Sequence, residues 1–416
     1  MTSNDPSPAT AGGTPTASGP TAGRALSALA VVLVMLLTTG WTALHRSAEE
    51  PSPRAAALAV WARATIDGRR LPPADAPAPR LRSFFASLDG AQRARLADRF
   101  PLVVGGLDGA PVTLRYRANR RALALARTAE RARARDNGLA PAARDESARR
   151  AHRFGSLLEP GRRILFFDPT GGGLVAEVFG DLDTARRVSV VVPGVDTDVL
   201  TFERTQRRYS APVGMAEALY DAERAAAPAG DTAVIAWAGY TTPAGVGVDA
   251  ATGHLAAQGA ARLAALTAAL PGHSSVALFC HSYGSVVCGV AARHLPARVT
   301  DIAVAGSPGM RARSAAGLGT AARVWATRDP EDWIGDVPYL EVGGIGHGAD
   351  PVDPAFGARV LSSAGAKGHT GYFTPGSASL GNFARIGVGS YTSVTCAPGE
   401  TSCTRGISGT DGPAGV

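Results

Sequence analysis

The pattern of apolar and polar positions changes near residue 160. Before that point, apolar residues recur every three or four positions among alanine, arginine and acidic residues, as in 81–100 and 114–152. This spacing predicts amphipathic helices. After it, short continuous apolar runs alternate with longer helical patterns such as residues 253–270. Such runs predict buried parallel strands in a sheet that helices cover on both faces.

Two further strands precede the parallel part of the predicted sheet. The segments "RILFFDP" and "GLVAEVFGD" are separated by the turn "TGGG", which is typical of an antiparallel hairpin. A hairpin that leads into a parallel, helix-flanked sheet favours the α/β-hydrolase architecture. The predicted fold is therefore an α/β-hydrolase fold with a mostly parallel sheet, preceded by a helical region.

The N-terminal residues have a different character. Residues 1–23 are mostly Ser, Thr, Pro, Gly and Ala without large apolar side chains, which predicts a disordered tail. Residues 25–44 are uncharged, and at about 1.5 Å per residue they are long enough to cross a bilayer core of about 30 Å. We interpret 24–45 as a transmembrane anchor or signal segment, and favour an uncleaved anchor because "TALHRSAEE" is a poor cleavage site.

These patterns divide the chain into six segments. The predicted boundaries are 1–23 for the tail, 24–45 for the anchor, 46–80 for a Pro- and Ala-rich tether, 81–160 for the helical region, 161–395 for the hydrolase domain and 396–416 for a C-terminal tail.

The chain is basic, with a formal net charge of +7 and a sequence pI near 9.6. Most of the basic charge is arginine, interleaved with alanine and acidic residues as on a solvated helix face. No helix-turn-helix signature or zinc-ligand spacing accompanies the charge. We therefore expect no nucleic-acid partner, and we find no metal constellation or cofactor loop in the sequence.

The four cysteines suggest an oxidising compartment. Cys396 and Cys403 flank a Pro- and Gly-containing turn that suits a small disulfide loop. Such a bond would place the hydrolase domain outside the cytoplasm. Cys280 and Cys288 are interpreted as small packed hydrophobes. The expected location is the cell membrane, single-pass with an extracellular hydrolase domain, and the alternative is a secreted protein.

Ser282 is the candidate nucleophile. It lies in "CHSYG", between the apolar strand "SVALFC" and a glycine-containing helix. A nucleophilic serine at a strand-to-helix turn usually stands in G-x-S-x-G, so that small neighbours allow the backbone to approach closely. Gly284 fits that signature, whereas Cys280 replaces the first glycine. We interpret His281 as structural rather than as the base.

A serine nucleophile needs a base, and the base needs an acid that orients it. The fold places the acid after a late strand and the histidine further on. We predict Asp332 as the acid, because the following "WI" could pin it by packing, with Asp329 as the alternative. We predict His369 as the base, while His347 could line the site or hold a loop.

The oxyanion hole requires backbone N–H groups that point at the developing negative charge. We predict that these come from Tyr283, which follows the nucleophile, and from Val195 after "VSVVVPG", with Gly194 as the alternative.

Motifs along the chain together resemble an uncharacterised family of bacterial α/β hydrolases that carries a domain-of-unknown-function label and occurs on exported proteins. The resemblance spans Leu81 to Ile386. Its motifs are "FFASLDGAQRARLADRFPLVVGGLDGAPVTLRYRAN", "VVVPG", "AWAGY", "HSYGS", "GSPG", "EDWI", "HGADPVDPAFGARV" and "GHTGYFTPGSASLGN". It implies a helical region packed on a hydrolase domain, with Ser282, Asp332 and His369 as the triad. Cys280 departs from the family's usual glycine.

The expected function is that of a serine hydrolase that cleaves a carboxylic ester or similar acyl bond of a small-molecule or lipid-like substrate. Acyl transfer on the same residues is one alternative. A membrane-tethered binding protein built on a degenerate hydrolase fold is another. Nucleic-acid binding through the arginines would give steeply salt-dependent retention.

Overall fold

The computed structural model of the protein describes residues 52–400 and 403–407. The predicted N-terminal tail and anchor, and the end of the C-terminal tail, lie outside the described residues. Within 52–400 and 403–407, no helix has the length and apolar character that a membrane crossing requires.

The first part of the described chain is helical. Its elements are α1 (Pro53–Trp61), a hairpin of β1 (Thr65–Ile66) and β2 (Arg69–Arg70), α2 (Ala78–Ala86), α3 (Gly90–Arg99), α4 (Pro101–Val104), α5 (Val112–Arg133) and α6 (Pro141–Ser156). Trp61, Phe85 and Phe100 are buried together at its centre. The indole of Trp61 donates a hydrogen bond to the Pro72 carbonyl at 2.7 Å. Residues 53–72, which lie within the segment expected to be a tether, are therefore folded against the helices.

An eight-stranded sheet follows. Its strands are β3 (Ile164–Asp168), β4 (Leu174–Gly180), β5 (Arg187–Val192), β6 (Thr232–Ala238), β7 (Ser275–His281), β8 (Val299–Ala305), β9 (Arg323–Thr327) and β12 (Arg359–Val360). Between β9 and β12 lies a separate hairpin of β10 (Glu341–Val342) and β11 (Ile345–Gly346). The segment "YLEV" contributes to this hairpin and not to the sheet.

The sheet is mostly parallel, as the sequence predicted. The spatial order is β12-β9-β8-β7-β5-β6-β4-β3. Strand β3 pairs antiparallel with β4, and β4 pairs antiparallel with β6, while the remaining pairs are parallel. The carboxyl ends of the parallel strands therefore meet at one edge, where side chains of their loops can converge.

Helices cover both faces of the sheet. They are α7 (Pro212–Ala226), α9 (His254–Ala269), α10 (Gly284–Ala291) and α11 (Ala378–Gly387), whereas the short α8 (Val248–Ala251) has no buried residue. Val190 and Val192 pack with α9 and α10 on one face, whereas Val191 packs with α7 and α11 on the other. This alternation follows from the two-residue period of a strand and explains why Val190, Val191 and Val192 of β5 are all apolar.

The helical region lies against β3, the outermost strand of the sheet. The Asn119 amide on α5 donates to the Ile164 carbonyl at 3.0 Å and to the Gly105 carbonyl at 3.2 Å. Leu123 and Phe154 pack in the same cluster as Phe167 on β3. The helices are thereby fixed to this edge by hydrogen bonds as well as by apolar contacts.

Candidate active site

Ser282 occupies the turn between β7 and α10. Its φ is 54°, a left-handed conformation that costs a non-glycine residue about 1–2 kcal/mol. Its backbone N–H donates to the Ala305 carbonyl at 3.0 Å. A Cβ on Gly284 would lie 2.3 Å from the Val192 carbonyl oxygen. The turn therefore requires glycine at 284, and it holds Ser282 in a conformation that only the surrounding structure can maintain.

The structure brings Ser282, His369 and Asp332 together. His369 Nε2 lies 2.8 Å from Ser282 Oγ, and His369 Nδ1 lies 2.9 Å from one Asp332 oxygen and 3.1 Å from the other. A carboxylate only accepts hydrogen bonds, so Nδ1 carries the proton and Nε2 is left to accept one from the serine. This is the tautomer that a general base requires.

Asp332 is buried and well partnered. Burial raises the pKa of its carboxyl, but hydrogen bonds from His369, from the Tyr372 hydroxyl and from the Ile334 amide lower it, and the net pKa lies below the usual value. Asp332 therefore stays ionised beside the imidazole. Sequence reasoning missed Tyr372; its only signal was an aromatic pair just after His369.

Asp329, the alternative acid, has a different role. Its carboxylate accepts from the backbone N–H groups of Glu331 at 3.1 Å and Gly368 at 3.2 Å. The second bond reaches the residue before His369. Asp329 thus supports the loop that carries His369.

The other two histidines near the site also bond to backbone carbonyls. His281 Nε2 donates to the His369 carbonyl at 2.6 Å. Its ring is buried, and desolvation first, then the neighbouring His369, lower its pKa to about 4. His347 Nε2 donates to the Ala250 carbonyl at 2.7 Å, with its ring edge-on to Tyr283. These bonds agree with a structural role for His281 and a loop-holding role for His347.

The loop after β5 lies directly against the serine. A Cβ on Gly194 would approach Ser282 Cβ to 2.7 Å and Oγ to 3.1 Å. Asp196, at φ 56°, fixes this loop by accepting from Gly245 N at 2.7 Å. Within the described part of the chain, the N–H groups of Val195 and Tyr283 have no backbone acceptor. Both predicted donors are thus available at the edge where Ser282 stands.

A disulfide crosses the turn, contrary to our interpretation of its two cysteines. Cys280, two residues before Ser282, is bonded to Cys288 on α10. The chain reverses direction between β7 and α10, so the second helical turn of α10, which carries Cys288, lies beside the end of β7. The other pair, Cys396 and Cys403, is also bonded, as expected for its short loop.

A large groove among the described residues lies elsewhere. It measures about 940 Å³ and is lined by residues of α1, α5, α6 and the β3–β4 turn, among them Val60 and Leu125. It includes no residue of the predicted triad. Among the described residues, no group of three or more His, Cys, Asp or Glu side chains is arranged to hold a metal ion.

Comparison with known proteins agrees with this fold. Residues 168–342 match the model of a family described as alpha/beta hydrolase, a range that includes Ser282 and Asp332 and ends before His369. An uncharacterised protein of Mycobacterium tuberculosis is 29% identical over 379 residues, which cover 77% of this chain and 57% of that protein. An uncharacterised protein of Mycobacterium bovis is 32% identical over 179 residues, which cover 41% of this chain and 66% of that protein.

Two solved structures are weakly similar. A 2,6-dihydroxy-pseudo-oxynicotine hydrolase shares 11% identity with a TM-score of 0.29, covering 62% of this chain and 79% of that one. A lipase/esterase from Lactobacillus plantarum shares 14% identity with a TM-score of 0.23, covering 40% and 76%. Scores this low carry no argument about function.

The family match and the strand order define the protein as an α/β hydrolase. The mycobacterial relatives that it matches are uncharacterised, which, with the family match, confirms the resemblance to an uncharacterised family of α/β hydrolases seen in the sequence. The chain spans 57% of the length of the first of these relatives.

Proposed function

We propose that this protein is a serine hydrolase that cleaves a carboxylic ester, or a similar acyl bond, through an acyl-enzyme on Ser282. The observation that carries the proposal is the continuous hydrogen-bond chain from Ser282 Oγ through His369 to Asp332, with distances of 2.8 and 2.9 Å. Ser282 lies at a strained strand-to-helix turn, which is where an α/β hydrolase places its nucleophile.

In the first half of the reaction, Ser282 Oγ attacks the acyl carbonyl carbon while its proton passes to His369 Nε2. Asp332 stabilises the resulting imidazolium through the Nδ1 proton. The amides of Tyr283 and Val195 donate to the oxyanion of the tetrahedral intermediate. When this intermediate collapses, the alcohol leaves with the proton from His369 and the acyl group stays on Ser282.

In the second half, His369 takes a proton from water, and the resulting hydroxide attacks the acyl-enzyme carbonyl. Collapse of this second intermediate releases the carboxylic acid and returns the proton to Ser282 Oγ. An alcohol that replaced this water would give acyl transfer, so the competition between water and added alcohols for the acyl-enzyme distinguishes the two activities.

A fluorophosphonate probe tests the nucleophile. We expect covalent labelling of the native protein and no labelling of Ser282→Ala. Ser285→Ala is a matched control, because Ser285 is a buried serine three residues away whose hydroxyl donates to the Cys280 carbonyl, and it should still be labelled. A folded native protein that takes up no label would refute the proposal and favour the binding-protein alternative.

Hydrolysis of p-nitrophenyl esters tests the acid. Asp332→Asn should lower kcat by about 10³- to 10⁴-fold, because it removes the group that fixes the histidine tautomer. Asp329→Asn weakens only hydrogen bonds to backbone and should cost less than about tenfold. Equal losses in the two variants, or the larger loss in Asp329→Asn, would overturn the assignment of Asp332.

We also propose that the hydrolase domain is extracellular and tethered to the cell membrane by residues 24–45. The support is the pair of disulfides in the described residues, since such bonds persist in oxidising compartments. Protease added to intact cells should digest the domain. Complete protection in intact cells, with digestion after lysis, would contradict this location.

A further inference from the structure

Large exposed apolar side chains are unevenly distributed over the described residues. Eight such residues are strongly exposed. Six of them, which we call the apolar rim, are Val246, Val248, Trp333, Leu340, Val342 and Ile345. The other two, Val60 and Leu125, line the separate groove beside α1 and α5. Single exposed apolar residues are ordinary, whereas a group of them on adjoining segments marks an interaction surface.

The segments that carry the apolar rim frame the Ser282 site. The loop after β6 is joined to the β10–β11 hairpin by a bridge between Thr252 and Ile345. The Tyr283 hydroxyl, beside the nucleophile, donates to the Thr252 carbonyl at 2.8 Å. On the other side, the Trp333 ring centroid lies 4.8 Å from that of His369. The segments of the apolar rim therefore contact Tyr283 and His369, two neighbours of Ser282, and we take the space between them as the entrance to the site.

The six side chains of the apolar rim carry no charge, and the exposed charged residues beside Val248 and Trp333 are the acidic Asp249, Glu331 and Asp336. Glu341 is the charged residue of the hairpin segment 340–346, and it pairs with Arg311. The loop segment 244–248 contains no charged residue. Val246, Val248 and Val342 are each at least 70% exposed. An apolar surface with acidic neighbours complements an uncharged, apolar face rather than an anionic one.

We infer that the apolar rim docks on an uncharged lipid surface, and that the ester is a lipid that passes from this surface to Ser282; the second part rests on the proposed function. A protein or second copy seated on the apolar rim would cover the entrance. A lipid surface instead presents the substrate there. Burial of exposed Val and Ile in lipid is favourable, and a tryptophan suits the water–lipid interface.

Contact quenching of Trp333 by brominated lipid tests this docking in the full chain. Trp61, Trp237 and Trp325 are buried, so a Trp41→Phe background leaves Trp333 as the exposed indole of the described residues. Vesicles of phosphatidylcholine brominated on the acyl chains should quench it. Because quenching needs direct contact, it reports on the apolar rim however the N-terminal residues hold the chain.

Two double variants provide the comparison. Val342→Asp/Ile345→Asp places two charges in the apolar rim and should abolish the quenching of Trp333. Val60→Asp/Leu125→Asp places two charges at the exposed apolar positions outside it and should leave the quenching unchanged. In activity assays, we compare the rate of hydrolysis of emulsified triacylglycerol with that of a soluble ester. The ratio of the first rate to the second should fall at least about tenfold in the first variant only.

The two proposals fail in different ways. Quenching of Trp333 in Ser282→Ala needs no turnover, so a protein that docks but hydrolyses no ester refutes the proposed function and leaves the docking surface standing. A protein that hydrolyses soluble esters while Trp333 stays unquenched refutes the docking surface. So does a concentration-dependent dimer that shields Trp333 from an aqueous quencher, because the occupant is then a second copy.

Discussion

The disulfide between Cys280 and Cys288 offers a test of how the turn holds its serine. Cys280 precedes Ser282 by two residues and Cys288 follows it by six, so the bond closes a short loop around the strained position. We expect Cys280→Ala/Cys288→Ala to lose both stability and activity. The second loss arises because a residue at positive φ persists only where its surroundings over-determine the conformation.

The magnitudes of the two losses can be estimated separately. The chain-entropy model gives about 2.5 kcal/mol of stability for a loop with a sequence separation of 8. It gives nearly the same value for the Cys396–Cys403 pair, whose separation is 7. Relaxing a left-handed serine could release about 1–2 kcal/mol in the ground state, which corresponds to roughly a five- to thirtyfold fall in kcat.

The Cys396→Ala/Cys403→Ala protein is therefore a matched control, with the same entropic loss at a place away from the site. Urea unfolding should give similar losses in the free energy of unfolding for the two variants. With a soluble p-nitrophenyl ester at a temperature where both are folded, kcat should fall in the 280/288 variant alone, with little change in KM.

If the two variants lose equal stability and retain equal kcat, the disulfide contributes nothing to the conformation of Ser282. The argument from over-determined strain would then be refuted, and the remaining hydrogen bonds of the turn would suffice to hold it.

Three further predictions follow from the site. Tyr372→Phe removes a donor to Asp332 and should raise the pKa of that carboxyl and lower kcat about tenfold; an unchanged acid limb of the pH–rate profile would contradict this. Gly194→Ala should lower kcat by at least about tenfold, because the new Cβ meets the proposed nucleophile, whereas Gly247→Ala, where a Cβ meets nothing within 4 Å, should not. The pKa of His281 in the folded state is lowered to about 4. The free energy of unfolding should therefore be unaffected by this histidine above pH 6.5 and should decrease as the pH falls towards 4, by at most about 3 kcal/mol. Unfolding curves of His281→Gln should lack this decrease.

The sheet could be predicted because its strands carry their own signal. Buried strands such as β5 and β7 contain the apolar runs 190–192 and 276–280, and the Gly-rich turn marks the β3–β4 hairpin. The two-residue strand β12 could not be found, since Arg359–Val360 has neither length nor alternation. The strands β1 and β2 also have only two residues each. They follow a helical pattern, so the sequence does not indicate this hairpin.

The candidate site was predictable only in part. Chain order and the strand-to-helix context suggested Ser282, Asp332 and His369, which the structure places within hydrogen-bonding distance. The Tyr372 hydroxyl donates a hydrogen bond to Asp332, which lies 40 positions earlier in the chain and on a different loop. No periodic pattern in the sequence predicts such a contact. The Cys280–Cys288 bond was missed for a related reason, because its eight-residue separation includes a chain reversal.

The position of the helical region beside β3 also has a consequence for solubility. The last strand of an open sheet presents unpaired backbone groups that can recruit a strand from another molecule. Asn119 occupies one such carbonyl, that of Ile164, and α5 covers the strand. The helices thus protect this edge of the sheet from pairing with another molecule. A hydrolase domain truncated to begin at residue 161 is expected to self-associate through β3.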